Sequence, residues 1–93
     1  MENLTEKLSK EQDTLPWKEL ARHFAFGRLF LVSEDLDLVQ VACAIAEDNS
    51  VQIKDWMDSN SFKAPTDEDI QSWNDDTNFR VNIISPFVVV QRT

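Results

Sequence analysis

The segment from Gly27 to Asp48 constrains the fold most, because it joins a short apolar run to a longer apolar helical pattern. Residues 29–32 have the length and the aromatic and β-branched content of a strand that is buried on both faces. Ser33 is predicted to cap the helix that follows, with Glu34 and Asp35 in its first turn, where the helix dipole favours negative charge. Apolar residues cover most of this helix, so we expect neighbours on several sides.

The segments on either side predict further helices and one long strand. Residues 3–12 have a weak helical pattern, and residues 14–16 are expected to begin a second helix, which ends before Gly27. Further helices are predicted to begin at Asn49 and at Thr66, with a short extended piece at residues 62–64 between them. Phe79 to Gln91 is predicted to be a long strand, with a bulge, kink or edge position at Pro86.

This order of elements predicts an α+β fold, a small two- or three-stranded sheet covered by four or five helices. With 93 residues the chain is expected to form a single domain over residues 1–93, in which residues 1–13 are a loosely packed N-terminal helix. No apolar run is long enough for a membrane span, and the polar start of the chain is unlike a secretory signal. A single cysteine excludes an intrachain disulfide and favours the reducing cytoplasm.

The formal net charge is −8, and it is unevenly distributed. Residues 1–33 have equal numbers of basic and acidic side chains, whereas residues 34–93 have four basic and twelve acidic ones. No basic patch is available to replace the counterions of DNA or RNA, which argues against direct nucleic-acid binding. The acidic excess favours solubility and is suited to a basic protein partner.

Several motifs, in this order and spacing, resemble those of a bacterial family of short proteins known as domain of unknown function 2288. The similarity covers roughly residues 15–91, and its landmarks are Trp17-Lys18-Glu19-Leu20, Phe24-Ala25-Phe26-Gly27, Leu36-Asp37-Leu38-Val39-Gln40-Val41-Ala42, Ala46-Glu47-Asp48, Trp56, Trp73 and Pro86-Phe87-Val88-Val89-Val90-Gln91. In the last motif Phe87 stands where the family has tryptophan. The resemblance implies no activity, substrate or cofactor.

Two side chains, His23 and Cys43, are candidates for catalytic groups. His23 is the only histidine, and Glu19 lies four residues before it on the same predicted helix face, so the pair has the spacing of a base and its orienting carboxylate. The same spacing is common in surface ion pairs, and we favour the interpretation that His23 is a surface or boundary residue beside such a partner. Cys43 lies in an apolar helical face, where cysteine is usually a small buried hydrophobe rather than a nucleophile. We therefore assign no catalytic residue.

Asp37 is the most informative carboxylate, because it lies between Leu36 and Leu38 in a helix that we expect to be largely buried. A buried carboxylate needs a partner, and Arg22, Arg28 and Arg80 are the candidates. Structural pairing is favoured over a ligand or proton role.

Metal and phosphate sites have little support. One histidine and one cysteine make no zinc set, and the acidic clusters Asp35-Leu36-Asp37 and Asp67-Glu68-Asp69 do not continue as calcium loops. The single glycine excludes the glycine-rich phosphate loops. We expect no metal and no cofactor. Trp17 and Trp73 are candidates for a pocket wall or a partner surface, although core packing explains them better.

Three hypotheses for function remain open. The first is a small non-catalytic protein that binds another macromolecule, including a second copy of itself, because the long C-terminal strand needs neighbours on both edges. The second is a small-molecule binder or enzyme that uses Asp37, His23 and an arginine, with Trp17 or Trp73 as a wall. The third is an acidic decoy that occupies a nucleic-acid-binding protein through residues 34–76.

Overall fold

The computed structural model describes residues 3–92, which form a five-stranded mixed sheet with helices on both faces. The helices are α1 (Leu4–Lys10), α2 (Trp17–Ala25), α3 (Leu38–Ala46), α4 (Ser50–Asp58) and α5 (Asp67–Gln71). The strands are β1 (Asp13–Pro16), β2 (Leu29–Val32), β3 (Phe62–Lys63), β4 (Asn78–Ile84) and β5 (Phe87–Arg92). The α+β class is confirmed, but the predicted two or three strands are too few. Residues 1, 2 and 93 of the predicted single domain lie outside the described residues.

The strands are arranged in the order β1-β4-β5-β2-β3. β5 runs parallel to β2, and the other neighbouring pairs are antiparallel. β5 therefore has hydrogen-bonded neighbours on both sides within the same chain. The C-terminal strand therefore does not need a second copy of the chain as a neighbour, which was the reason for predicting a homodimer. The sheet edges are β1 and β3, only four and two residues long, and short edge strands limit edge-to-edge pairing.

The two faces of the sheet carry separate hydrophobic cores, because successive side chains of a strand point to opposite faces. On one face, α1, α3 and α4 cover a cluster that includes Leu8, Val32, Val41, Ala42, Phe62 and Val89. On the other, α2 and α5 cover a cluster that includes Trp17, Leu20, Leu29, Phe79, Val88 and Val90. Leu29 and Val32 are both buried and belong to different clusters, so the prediction that their strand is buried on both faces is confirmed.

Residues 14–16 belong to strand β1 and do not begin a helix as predicted. Leu15 pairs with Phe79 of β4, and this distant partner decides the local conformation. Pro16 ends β1 and is the N-cap residue of α2, with extended backbone angles (φ −77°, ψ 158°). Gly27 has the left-handed conformation (φ +72°) predicted for a residue just after the helix, which is confirmed.

The predicted long strand from Phe79 to Gln91 is a hairpin of two strands. Ser85 and Pro86 form the connection between β4 and β5, with a cis peptide bond between them. Ile84 pairs with Phe87 directly beside this turn. The prediction of a kink at Pro86 placed the irregularity correctly but missed the reversal of the chain.

The helix after β2 begins later than predicted. Ser33 does not cap it; its hydroxyl accepts a hydrogen bond from the backbone N–H of Asp35 inside a loop. Asp37 is the actual N-cap, because its carboxylate accepts from the N–H of Val39 at 2.9 Å. The caps predicted at Asn49 and at Thr66 are confirmed, and the latter is a complete capping box with Asp69.

Candidate functional site

Trp17 and Trp73 come together, but as part of the core. Their rings lie 5.1 Å apart between centroids, and both contact Phe79, at 6.5 and 4.8 Å respectively. Trp17 is only 8% exposed. This aromatic cluster packs α2 and the segment after α5 onto the sheet, as the core interpretation expected.

His23 and Asp37 lie on different faces of the sheet. His23 belongs to α2, whereas Asp37 is the N-cap of α3, which packs on the opposite face. The arrangement therefore does not bring together Asp37, His23 and a tryptophan, as the small-molecule hypothesis required. Asp37 is also exposed rather than partly buried, because it precedes the helix in which it was placed. A carboxylate in water that caps a helix needs no arginine partner.

Cys43 is a buried free thiol on α3. Its sulfur lies 3.7 Å from the hydroxyl oxygen of Thr5 on α1. No histidine is available beside it, since His23 is on the other face of the sheet. This geometry suits a small core residue at the contact between α1 and α3.

An apolar groove opens on the α3 and α4 side of the sheet, near the hairpin turn. It has a volume of about 130 Å³ and is lined by Phe30, Ile53, Met57, Phe62 and Phe87. Phe30 stacks on Phe62 with centroids 4.9 Å apart, and Phe87 meets Phe30 edge-on at 5.8 Å. Met57 and Phe87 are 45% and 38% exposed. Sequence analysis did not identify this groove, because its residues come from four separate elements.

A polar groove opens on the same face of the sheet, at the other end of β5. It has a volume of about 500 Å³ and is lined by Ser9, Gln12, residues 34–39, Arg80 and Gln91. Arg80 and Gln91 are cross-strand partners in the pairing of β4 with β5. The sequence indicates Arg80 as one candidate partner of Asp37 and contains Gln91 in the C-terminal motif.

Gln91 organises the wall of the polar groove. Its side-chain amide donates to the backbone carbonyls of Ser33 and Leu36, at 2.8 and 2.6 Å. These bonds hold the loop of residues 33–37 against the end of β5. A sequence signal was present, since a polar residue directly after three valines of a buried strand has to be satisfied inside the fold.

A third depression is lined by two cationic side chains, and both of them already contact other residues. It is lined in part by Lys63 and Arg92, next to Glu34. Lys63 forms an ion pair with Asp69 at 3.4 Å, and the Arg92 guanidinium lies 5.8 Å from the centre of the Phe79 ring. These contacts give the two cationic side chains structural roles.

Within residues 3–92 no group of three or more histidine, cysteine or acidic residues is placed to hold a metal ion. Among the described helices none has the length and apolar character needed to cross a bilayer.

Comparison with known proteins identifies a family and one similar solved structure. The model of a family described as "protein of unknown function (DUF2288)" matches residues 3–92. The NMR solution structure of PA1075 from Pseudomonas aeruginosa is similar, with a TM-score of 0.84 and 29% sequence identity; the match covers 99% of this chain and 86% of that one. No curated protein matches the chain. The resemblance predicted from the sequence motifs is thereby confirmed.

Proposed function

We propose that this protein, which belongs to the DUF2288 family, is a non-catalytic binder of other proteins. The family itself has no established activity. The apolar groove would receive a basic amphipathic helix of the partner. The observation that carries this proposal is the groove itself, which is lined by apolar residues alone and has Met57 and Phe87 at its exposed rim. Exposed aromatic and methionine side chains gathered around a depression are typical of protein-binding surfaces.

The dimensions of the groove suit one large apolar anchor. Its volume of about 130 Å³ is close to that of a cavity that holds one benzene molecule, roughly 150 Å³. Helices that bind in grooves insert anchors spaced three or four residues apart along one face. One anchor would enter between Phe30 and Phe87, and its neighbours would contact Ile53 and Met57 on α4.

Charge favours a basic partner over a second copy of the chain. The net charge of −8 makes two copies repel each other at long range. Asp58 is exposed on α4, directly after Met57 at the groove rim. Lysine and arginine residues that flank the apolar anchors of a partner helix would be attracted by this carboxylate and by the negative net charge of the chain, which increases the rate of association.

The proposal is tested with two labelled helical peptides that share the same leucine face. One peptide carries lysine and the other glutamate at every polar position, and binding is followed by fluorescence anisotropy. The lysine peptide is expected to bind, with an affinity that falls as salt is added, because exposed charges are screened. Phe87→Ser should weaken binding by at least about tenfold, since it removes an anchor contact.

The hairpin offers a matched control for this experiment. Ile83 is 56% exposed and lies on the other face of the sheet, so Ile83→Ser removes a similar exposed apolar side chain without touching the groove. The proposal fails if Ile83→Ser weakens binding as much as Phe87→Ser, or if the glutamate peptide binds equally well. A dimer in sedimentation equilibrium that Phe87→Ser abolishes would make a second copy the occupant and would also overturn the proposal.

Two further predictions accompany this function. We place the protein in the cytoplasm, because its one cysteine is a free, buried thiol that suits a reducing compartment. The acidic decoy hypothesis stays a prediction, and the lysine peptide separates it from groove binding. A decoy that acts through charge alone would bind this peptide equally in the Phe87→Ser variant.

A further inference from the structure

Helix α1 depends on a small number of side chains for its attachment to the rest of the fold. Of its seven residues only Leu8 is buried, whereas α3, on which it packs, has five buried residues. Residues 11 and 12 alone connect it to β1. A helix this short is not stable in water by itself, so its place on the domain is maintained by tertiary contacts.

Asn82 forms a polar contact between α1 and the sheet, and its amide is only half satisfied. This β4 side chain is 1% exposed, and its Nδ2 donates to the backbone carbonyl of Leu8 at 2.7 Å. That carbonyl lies in the last turn of α1 and has no partner within the helix, because the N–H of Gln12 donates to Ser9 instead. Among the described residues, no group donates a hydrogen bond to Asn82 Oδ1. A buried acceptor without a donor is costly, so it weakens the arrangement in which α1 is docked.

Cys43 lies beneath the same helix, on α3. Its sulfur is 3.7 Å from the hydroxyl oxygen of Thr5, and the residue is 9% exposed. Thr5 and Leu8 are three positions apart and therefore lie on one face of α1. The thiol and the Asn82 amide are thus covered by the same surface of the helix, and release of α1 would uncover both groups at once.

We propose that α1 is a releasable cover, which undocks as a unit while the sheet and α3 stay folded, and that Asn82 determines how readily it does so. The burial of Leu8 stabilises the docked helix, and the unpaired oxygen of Asn82 opposes it. When α1 is released, water hydrates both polar atoms of the Asn82 amide, and the Cys43 thiol becomes accessible to reagents. The cover thereby controls access to a thiol and to a polar group that are otherwise buried.

This movement differs from fraying at the start of a helix. The Asn82 contact is in the last turn of α1, next to β1, so the whole helix has to leave the sheet before the amide is hydrated. The apolar groove contains no residue of α1, so this inference does not depend on the proposed function.

The first test measures how fast N-ethylmaleimide, a neutral thiol reagent, alkylates Cys43 in the unmodified protein. Cys43 is the only cysteine, so a single reaction is observed. Urea denaturation, extrapolated to water, gives the population of the globally unfolded chain and hence the rate expected if the thiol reacts only in that state. Because local openings require less free energy than global unfolding, release of α1 should make alkylation at least about a hundredfold faster than this limit. The rate should also change little at low urea concentrations, since little surface is exposed.

Asn82→Asp tests the polar contact with little change in the shape of the side chain. A carboxylate cannot donate to the Leu8 carbonyl, and its charge is costly to bury, so release of α1 is favoured. At neutral pH alkylation of Cys43 should be at least about tenfold faster than in the wild-type protein. Asn60→Asp is the matched control, because it adds the same charge at an exposed position after α4, and it should react like the wild type.

Leu8→Ala provides a second variant in case Asn82→Asp does not fold. It removes the apolar contact of α1 and should also accelerate alkylation by at least about tenfold. The proposal is overturned if the wild-type thiol reacts only as fast as global unfolding allows, which is the result expected if an internal water donates to Asn82 Oδ1. It is also overturned if Asn60→Asp and Asn82→Asp react at equal rates, or if neither Asn82→Asp nor Leu8→Ala reacts faster than the wild type.

Discussion

Strand β5 presents two unusual residues to the same face of the sheet, one near each end. Phe87, at its start, is a large aromatic residue that is 38% exposed, whereas Gln91, near its end, is a polar residue that is 5% exposed. Val89 lies between them and is fully buried in the cluster beneath α3. Phenylalanine is usually buried and glutamine is usually exposed, so both residues differ from the usual pattern of their type.

The two ends are stabilised by different kinds of interaction, and that difference decides the role of each. Around Phe87 the contacts are between rings, which are weakly directional and leave an apolar surface uncovered. Around Gln91 the contacts are hydrogen bonds, which fix the positions of individual atoms. An apolar surface suits a partner that is recognised by shape and area, whereas the polar contacts at the other end fix the conformation of the loop of residues 33–37.

The largest effect is expected from replacing Gln91. Gln91→Leu keeps the size of the side chain but removes the side-chain donor of the Leu36 carbonyl and weakens the bonding of the Ser33 carbonyl, which still accepts from the Leu36 N–H; this should cost about 2 kcal/mol of unfolding free energy. Phe87→Leu should cost less than about 1 kcal/mol, because the ring is already partly in water. Urea denaturation of both variants measures the difference. Equal costs would contradict the view that only the polar end depends on directional bonds.

A smaller effect separates the charge of Asp37 from its capping bond. Asp37→Ala removes the acceptor for the Val39 N–H and should destabilise the protein by about 1 kcal/mol. Asp37→Asn preserves the cap and should change the stability by no more than a few tenths of a kcal/mol. Thermal unfolding of the two variants at neutral pH checks this. If asparagine costs as much as alanine, the charge of Asp37 contributes to the stability of the fold beyond the capping bond.

The smallest effect concerns the pH dependence of stability near the apolar groove. Lys63, which follows the groove residue Phe62, pairs with Asp69. The N–H of Thr66 donates to the Asp69 carboxylate and lowers the pKa of that carboxyl below its usual value of 3.8, with a further contribution from Lys63 and partial opposition from burial. Because the folded pKa is the lower one, this stabilisation is present above pH 3.8 and is lost as the pH falls through the folded pKa.

Asp69→Asn tests this contribution. The wild-type protein should be more stable than the variant near neutral pH, and the two should converge in acid once Asp69 is protonated. Melting temperatures measured from neutral pH to below pH 3.8 follow this convergence. A stability difference that persists unchanged in acid would show that the carboxylate charge contributes nothing here.

The elements that sequence analysis identified correctly are those specified by nearby residues. The capping box of Thr66 and Asp69, the cap at Asn49 and the left-handed Gly27 all depend on residues a few positions apart. Strand β1 was missed because Leu15 becomes a strand residue only through its pairing with Phe79, more than sixty positions away. Local propensity cannot report such a partner.

The errors at the candidate sites have the same origin. Ser33 and Asp37 both have the features of an N-cap, and the loop between them is hydrogen-bonded to Gln91, which lies more than fifty positions further along the chain. Asp37 was recognised as important, but for burial that it does not have. The apolar groove was missed because Phe30 and Phe87 meet only when β2 and β5 pair in parallel.

The position of β5 has a consequence for how the protein is made. Without β5 the sheet would be divided into two antiparallel pairs, β1 with β4 and β2 with β3, with no strand between them. Isolated two-stranded ribbons are marginally stable in water. Both cores therefore depend on residues 87–92, which supply the middle strand, with Val89 in one core and Val88 and Val90 in the other. A chain that is being synthesised cannot complete either core until this segment has left the ribosome.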